Sequence, residues 1–249
     1  GKKPVIENPQ KVFYKYLYRS KLLFKFNDGE ALYGFGQYTE GKLNIRHSIR
    51  YIHHANMQIA LPLMVSTNGY GILFNLYCPM IFDDTGEVSY LYSEGSEELD
   101  FYFIKGAPND VVTGYRYLSG KASLLPKWAY GYIQSMERYE NQDELIDVLK
   151  EYRRRKLGID CIVLDWMSWH GDCWGDKNLD PERFQSPEEM MNQIHKLNGH
   201  LMVSIWPNMD KGDNHDEMSN KNFFLPNSTI YNAFLPDARN IYWEQVNEG

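Results

Sequence analysis

A chain of 249 residues, 43% of them hydrophobic, can bury one large core or two smaller ones and is expected to fold. Its net charge of −7, from 26 basic against 33 acidic residues, comes without a basic run that could follow a phosphate backbone, which excludes nucleic acid as an expected partner. No apolar run reaches membrane-spanning length and Gly1-Lys2-Lys3-Pro4 lacks a signal peptide's apolar stretch, so a soluble protein is expected, cytoplasmic or exported, with no membrane partner.

From about residue 12 to 105 the pattern is that of short antiparallel strands: Leu22-Leu23-Phe24-Lys25-Phe26, then 58–65, 70–77 and 99–104. Asn68-Gly69, between two of these runs, predicts a two-residue hairpin turn, because Asn-Gly readily takes positive φ. Gly106-Ala107-Pro108 then leads into a helical segment over 110–118, and a domain boundary is expected near residue 120.

Beyond it strands and helices alternate. After Trp128-Ala129-Tyr130-Gly131-Tyr132-Ile133 comes a helix with Asn141 as N-cap, Glu144 three residues on, Leu145, Val148, Leu149 and Tyr152 at helical spacing, and Gly158 as its stop. A strand over 159–166, apolar enough to be buried on both faces, precedes a helix capped by Ser186 with Pro187 at its first position and ending near Gly199. A third strand covers 201–206, and Asp237 is expected to cap a last helix containing Ile241, Trp243 and Val246. Three strand-helix units in series imply a parallel sheet, either doubly wound or part of a (β/α)8 barrel that three units cannot close.

Functional groups of such sheets gather at the C-terminal strand ends, which here read Gln134-Ser135, Leu164-Asp165-Trp166-Met167-Ser168-Trp169 and Ile205-Trp206-Pro207. A carboxylate accepts hydrogen bonds from paired hydroxyls and an indole covers the C–H face of a sugar ring, so this mouth suits a pyranose; a structural cap is the other reading of Asp165. Trp174 and Asp176 lie in the long loop that follows, with Asp180-Pro181, which reads equally as a loop anchored by one buried indole. His170, Asp172 and Cys173 are crowded together without a second cluster, and Cys78, Cys161 and Cys173 lack zinc-type spacing, so neither a metal nor a disulfide is expected. His53-His54 point to opposite faces of a strand and read as surface histidines.

The order of these segments resembles glycoside hydrolase family 31, the α-glucosidases and α-xylosidases. The likeness runs through Leu32-Tyr33-Gly34-Phe35-Gly36-Gln37, Leu61-Pro62-Leu63, Gly69-Tyr70-Gly71-Ile72-Leu73, Phe101-Tyr102-Phe103-Ile104-Lys105-Gly106 and Leu125-Pro126-Lys127-Trp128-Ala129. It continues through Gln134-Ser135, Leu164-Asp165-Trp166, Asp180-Pro181-Glu182-Arg183-Phe184 and Val203-Ser204-Ile205-Trp206-Pro207.

The resemblance implies an all-β part followed by α/β: an N-terminal antiparallel, galactose-mutarotase-like β-sandwich over 1–120, then an incomplete (β/α)8 TIM barrel over 121–249. It implies a retaining, exo-acting α-glycosidase that removes terminal α-linked xylose or glucose from oligosaccharides or glycosides. Sugar-binding roles fall to Asp165, Trp166 and Trp206, with Trp174 and Gln134 beside them, and no cofactor or metal is implied. The nucleophilic and acid/base aspartates of the family, roughly 5–5.5 Å apart in a retaining enzyme, belong to strands after Gly249, so no catalytic residue is assigned within the chain and the isolated 249 residues are expected to be inactive. The loop at Gly36, Gln37, Gly41, Lys42, Leu43 and Asn44 looks closer to the α-xylosidase branch. A non-catalytic carbohydrate-binding protein is the alternative, and a homo-oligomer of the full-length protein stays open. A nucleotide-binding doubly wound sheet lacks its glycine fingerprint, since Ser135-Met136-Glu137-Arg138-Tyr139 stands where it should be.

Overall fold

A computed structural model describes residues 5–6, 10–12 and 15–249. In chain order come strands β1 (Val5–Ile6), β2 (Gln10–Val12), β3 (Lys15–Phe24), β4 (Leu32–Gln37), β5 (Ile49–Ile52), β6 (Ile59–Ser66), β7 (Tyr70–Phe74), β8 (Met80–Asp83), β9 (Ser89–Ser96) and β10 (Phe101–Lys105), followed by helix α1 (Pro108–Ser119). After a 3-10 turn at Lys127–Tyr130 the chain forms β11 (Ile133–Gln134), α2 (Gln142–Arg154), β12 (Cys161–Leu164), α3 (Pro187–Lys196), β13 (His200–Val203), α4 (Asp213–Asn220) and α5 (Pro236–Glu248). The chain divides into two compact units, Gly1–Ser123 and Leu124–Gly249. Among the described residues no helix is long and apolar enough to cross a membrane.

The first unit holds two antiparallel sheets, one in the order β1-β3-β9-β8-β5 with β2 also paired to β3, the other β10-β7-β6-β4. One core joins them: Leu32, Phe35, Met64, Ile72 and Phe74 from the smaller sheet pack with Ile52, Phe82 and Leu91 from the larger. Strand alternation turns Leu63 and Val65 of β6 the other way, onto Val111 of α1.

The predicted runs fall on β3, β6, β7 and β10, whereas β5, β8 and β9 lie outside them. Two of these invert the usual pattern. On β9 the buried row is Ser89, Leu91 and Ser93 while Tyr90 and Tyr92 are only half-buried, and on β5 Arg50 is buried and Ile49 exposed. The buried serines are satisfied in place: Ser93 bonds Ser20 at 2.5 Å, and Ser89 donates to Asp84.

The glycine-rich motif of β4 has a steric cause. Gly34, Phe35 and Gly36 all have positive φ (115°, 60° and 106°), and a Cβ on either glycine would meet a carbonyl oxygen of β6 at 2.1 or 1.8 Å. The register shift between Gly34 and Gly36 buries Phe35 completely, 5.1 Å from Phe82 and 6.2 Å from Phe74. The Asn68-Gly69 hairpin forms as expected, with a different turn: Ser66 pairs with Tyr70 across three residues, and Gly69 alone takes positive φ (81°).

Arg46 ties the turn before β4 to the loop after it. Its Nη1 donates to the carbonyls of Asn27 and Glu30 at 3.2 and 2.8 Å, and its Nε to the Asp84 carboxylate at 2.7 Å. Glu30, 6% exposed, accepts from Ser66 at 2.5 Å, Tyr70 at 2.7 Å and the Asn27 N–H at 2.9 Å. Burial works to raise the Glu30 pKa, but these hydrogen bonds and the Arg46 charge outweigh it and hold the carboxyl below its ordinary 4.5.

In the second unit β11, β12 and β13 form a parallel sheet in chain order, and α2 and α3 pack Leu145, Leu149, Met190 and Ile194 on Ile162 and Leu164 of β12. Asn141 caps α2 by accepting from the Glu144 N–H at 2.9 Å. The stop of α2 is Lys156 rather than Gly158: Lys156 takes φ 58°, its N–H reaches the Arg153 carbonyl, and the Leu157 N–H reaches that of Tyr152. This two-bond ending recurs with Asn198 after α3 and Asn222 after α4. Ser186 makes no side-chain cap bond, and α5 begins at Pro236 after Leu235, which places Asp237 within the first turn instead of at the cap. The sequence reading left out α4, a polar helix whose buried residue is Met218.

Two outcomes follow for solution stability. Lys156→Gly, which removes the Cβ from a left-handed residue, raises the denaturant-derived stability by about 0.5–1 kcal/mol. A carboxyl whose folded pKa is depressed stabilises above its unfolded pKa and ceases to do so as pH falls through the folded value. Acid titration of the folded chain therefore loses stability below about 4.5, and Glu30→Gln flattens that limb.

Candidate functional site

The ladder around β12 continues past Leu164: the Ser204 N–H donates to the Leu164 carbonyl at 2.9 Å and the Trp166 N–H to that of Glu137 at 3.0 Å. Asp165 directly follows the last residue of β12, and its two chain neighbours are tied to opposite sides, Leu164 to the segment after β13 and Trp166 to the segment after β11. It is half-buried, and among the described residues none donates to its carboxylate. An anionic acceptor left without an internal partner at a strand end can take donors from a ligand.

Three indoles assemble beside this strand end. Ring centroids of Trp166 and Trp174 lie 4.9 Å apart, Trp166 and Trp206 5.6 Å, and Trp174 and Trp206 5.4 Å, all edge to face. Trp169, buried, backs Trp166 at 5.2 Å. The Nε1–H groups of Trp174 and Trp206 are buried with no acceptor among the described residues. A cleft of about 650 Å3 opens against Trp174 and Trp206, rimmed by Asn208, Asp210, Asn227 and Thr229. Indole faces with an amide, hydroxyl and carboxylate rim are the surfaces that hold a polyhydroxylated ring.

Of the expected site residues, the structure brings the Trp166, Trp174 and Trp206 rings together, and Asp165 directly precedes the first of them in the chain. Gln134 is placed elsewhere. It pairs with Ile162, on the helix-facing side of the sheet, and its Oε1 accepts from the hydroxyls of Tyr132 and Tyr152, each at 2.7 Å. Its amide braces α2 against β11. The other candidates disperse: the His170 ring lies 3.7 Å from Asp180, Asp172 pairs with Lys211, and His53 and His54 are exposed.

Asp180 is structural, 6% exposed and bonded at 2.8 Å to Arg183 and at 2.9 Å to the Glu182 N–H. Burial would raise its pKa, but the Arg183 bond, the Glu182 N–H and the guanidinium charge lower it. Asn208, Asp210 and Thr229 were hidden in a stretch without hydrophobic period, and their one sequence signal is that Asn208 directly follows the strand end at Trp206-Pro207.

Lys177 carried no signal at all, being a lysine that is 8% exposed. Its Nζ donates to the carbonyls of Gly175 and, at 3.0 Å, Trp206, and lies 4.9 Å over the Tyr242 ring, whose hydroxyl donates to the same Trp206 carbonyl at 2.9 Å. Burial pushes the ammonium pKa down to about 8. Below that value both folded and unfolded chains keep the proton and the burial cost is fully present. Between about 8 and 10.5 the unfolded chain alone holds it, so stability rises with pH across this window. Chemical denaturation through this range shows the rise in the unaltered chain and its loss in Lys177→Met.

Residues 122–249 match the model of the glycosyl hydrolases family 31 TIM-barrel domain. The chain is 37% identical over 234 residues to an α-xylosidase of Saccharolobus solfataricus, covering 90% of this chain and 32% of that protein. An α-glucosidase of the same organism is 26% identical over 216 residues, covering 75% of this chain and 30% of that one. Among solved structures, a family 31 α-xylosidase from a soil metagenome, complexed with xylose, superposes with a TM-score of 0.83 at 31% identity, covering 93% of this chain and 36% of its own. The chain therefore spans about a third of the length of these relatives. The match over 122–249, on the unit that carries the indole-lined strand end, shows that this chain belongs to glycoside hydrolase family 31.

Proposed function

We propose that the chain is the sugar-binding front of a retaining, exo-acting α-glycosidase that removes terminal α-linked xylose or glucose. The observation that carries this reading is the cluster of Trp166, Trp174 and Trp206 indoles at the strand end that bears Asp165, whose carboxylate accepts from none of the described residues, in a family whose relatives include α-xylosidases and α-glucosidases. Asp165 receives the sugar's paired hydroxyls, Trp166 and Trp206 cover its apolar face, and Trp174 extends that wall. Gln134 leaves this set, because its acceptor oxygen is taken by two tyrosines.

In the same reading residues 1–120 form a galactose-mutarotase-like β-sandwich and residues 121–249 the opening units of a (β/α)8 barrel. Support for an unclosed barrel comes from β13, an edge strand with Met202 and Val203 41% and 43% exposed. The nucleophile and acid/base belong to later strands, so the 249 residues bind sugar without cleaving it. Asp165 cannot replace a nucleophile, because a group aimed at ring hydroxyls is misplaced for the anomeric carbon, and about 1 Å of error already costs about a hundredfold. Preference between xylose and glucose turns on one hydroxymethyl group, a discrimination of about 1–3 kcal/mol.

Hydrolysis of p-nitrophenyl α-D-xyloside and α-D-glucoside is measured for this chain and for the same sequence extended through the whole barrel. Activity is expected in the extended protein alone, with Asp165→Ala lowering its kcat/KM about ten- to hundredfold, the worth of hydrogen bonds to a charged acceptor. Activity in the short chain overturns the placement of the nucleophile, and binding without activity in both favours a carbohydrate-binding protein.

A further inference from the structure

The backbone that follows Asp165 and Trp166 is strained. Met167 has φ 56°, a left-handed conformation that a residue with a Cβ disfavours, and it joins the carboxylate and first indole of the site to the buried Trp169. One side chain closes this turn from the far end of the loop. Arg183 donates from Nη2 to the Met167 carbonyl at 2.5 Å and to the Trp169 carbonyl at 2.7 Å, and from Nε to the Asp180 carboxylate at 2.8 Å. Asp180 completes the circuit, its own N–H donating to the Ser168 carbonyl at 2.8 Å.

The strained residue and the two that follow it thus have all three of their carbonyls engaged by the Asp180–Arg183 segment. A planar guanidinium can meet two carbonyls and a carboxylate at once, whereas an ammonium on a flexible stem is a point donor. The arrangement spends a partly buried ion pair on holding one backbone conformation.

We propose that Arg183 is a positioning residue: by clasping the Met167 and Trp169 carbonyls against Asp180 it keeps the left-handed turn at Met167 closed, and so aims Asp165 and Trp166 at the sugar. This rests on the reading of Asp165 and Trp166 as sugar contacts. The clasp itself has a consequence that needs no sugar, because the edge-to-face indoles give an exciton couplet in circular dichroism that depends on their mutual orientation.

The test uses the 249-residue chain with Arg183→Lys, Met167→Gly, the double variant, and Leu149→Ala as a destabilised control in the helix-facing core. The couplet is recorded below each protein's unfolding temperature, and the affinities for xylose and glucose are measured by calorimetry. Arg183→Lys is expected to weaken the couplet and to loosen the preferred sugar about tenfold. Met167→Gly in that background restores both, because glycine takes the left-handed turn freely, while Leu149→Ala keeps the couplet despite its lower stability.

Should Arg183→Lys fail to fold, a folded double variant with the parent's couplet supports the clasp equally. The proposal is overturned if Arg183→Lys keeps the couplet and affinity, if glycine does not restore them, or if the double variant also fails to fold. If the unaltered chain binds neither sugar, the functional reading falls, and the couplets still decide whether the clasp exists.

Discussion

A buried carboxylate, Asp180, held under Arg183, is the interaction on which the candidate site depends. The loop between β12 and α3 carries Trp166, Trp169 and Trp174, and no strand or helix lies within it to hold them. The Asp180–Arg183 pair supplies fixed points instead, bonding the carbonyls of Met167, Ser168 and Trp169 within a few residues of Asp165. Such a pair is weak evidence for net stability, since desolvation offsets much of the attraction; its contribution is to select one backbone path.

The other wall of the site is held by a comparable device. The Trp206 carbonyl accepts from both Lys177 and Tyr242, so the loop after β12 and the helix α5 meet at a residue three positions beyond the end of β13. Lys177 loses hydration to reach that position, which its lowered pKa records. The three indoles thus rest on two cations, the half-buried Arg183 and the buried Lys177, whose donors go chiefly to backbone carbonyls. Indoles supply area and shape but few directional bonds, so their orientation has to be imposed from behind.

Much of this was legible beforehand wherever a residue's role follows from its neighbours along the chain. The β12 strand, the Asn141 cap, the hairpin at Asn68-Gly69 and the placing of Trp166 and Trp206 beyond neighbouring strand ends all rest on short-range pattern. What was misread follows one theme. Strand β9 buries serines and β5 buries an arginine, because partners outside the strand, Ser20 for Ser93 and Glu40 for the Arg50 Nη1, bond them there. A period-two hydrophobicity count cannot see a partner 73 residues away. Gln134 stands at a strand end, and the structure engages its acceptor oxygen with the hydroxyls of Tyr132 and Tyr152.

The amino-acid sequence by itself determined the change from antiparallel strands to alternating strands and helices, the succession of α2, β12, α3 and β13, and the family, since these rest on local propensity and on motifs read along the chain. Tertiary structure alone decided which polar groups are spoken for. It left the Asp165 carboxylate without a donor among the described residues, turned Gln134 toward the helices, buried Lys177, and set Arg183 on the strained turn at Met167. The physical reason is that hydrogen-bond satisfaction is a property of packed neighbours, and a side chain's availability for chemistry is what remains after those neighbours have been served.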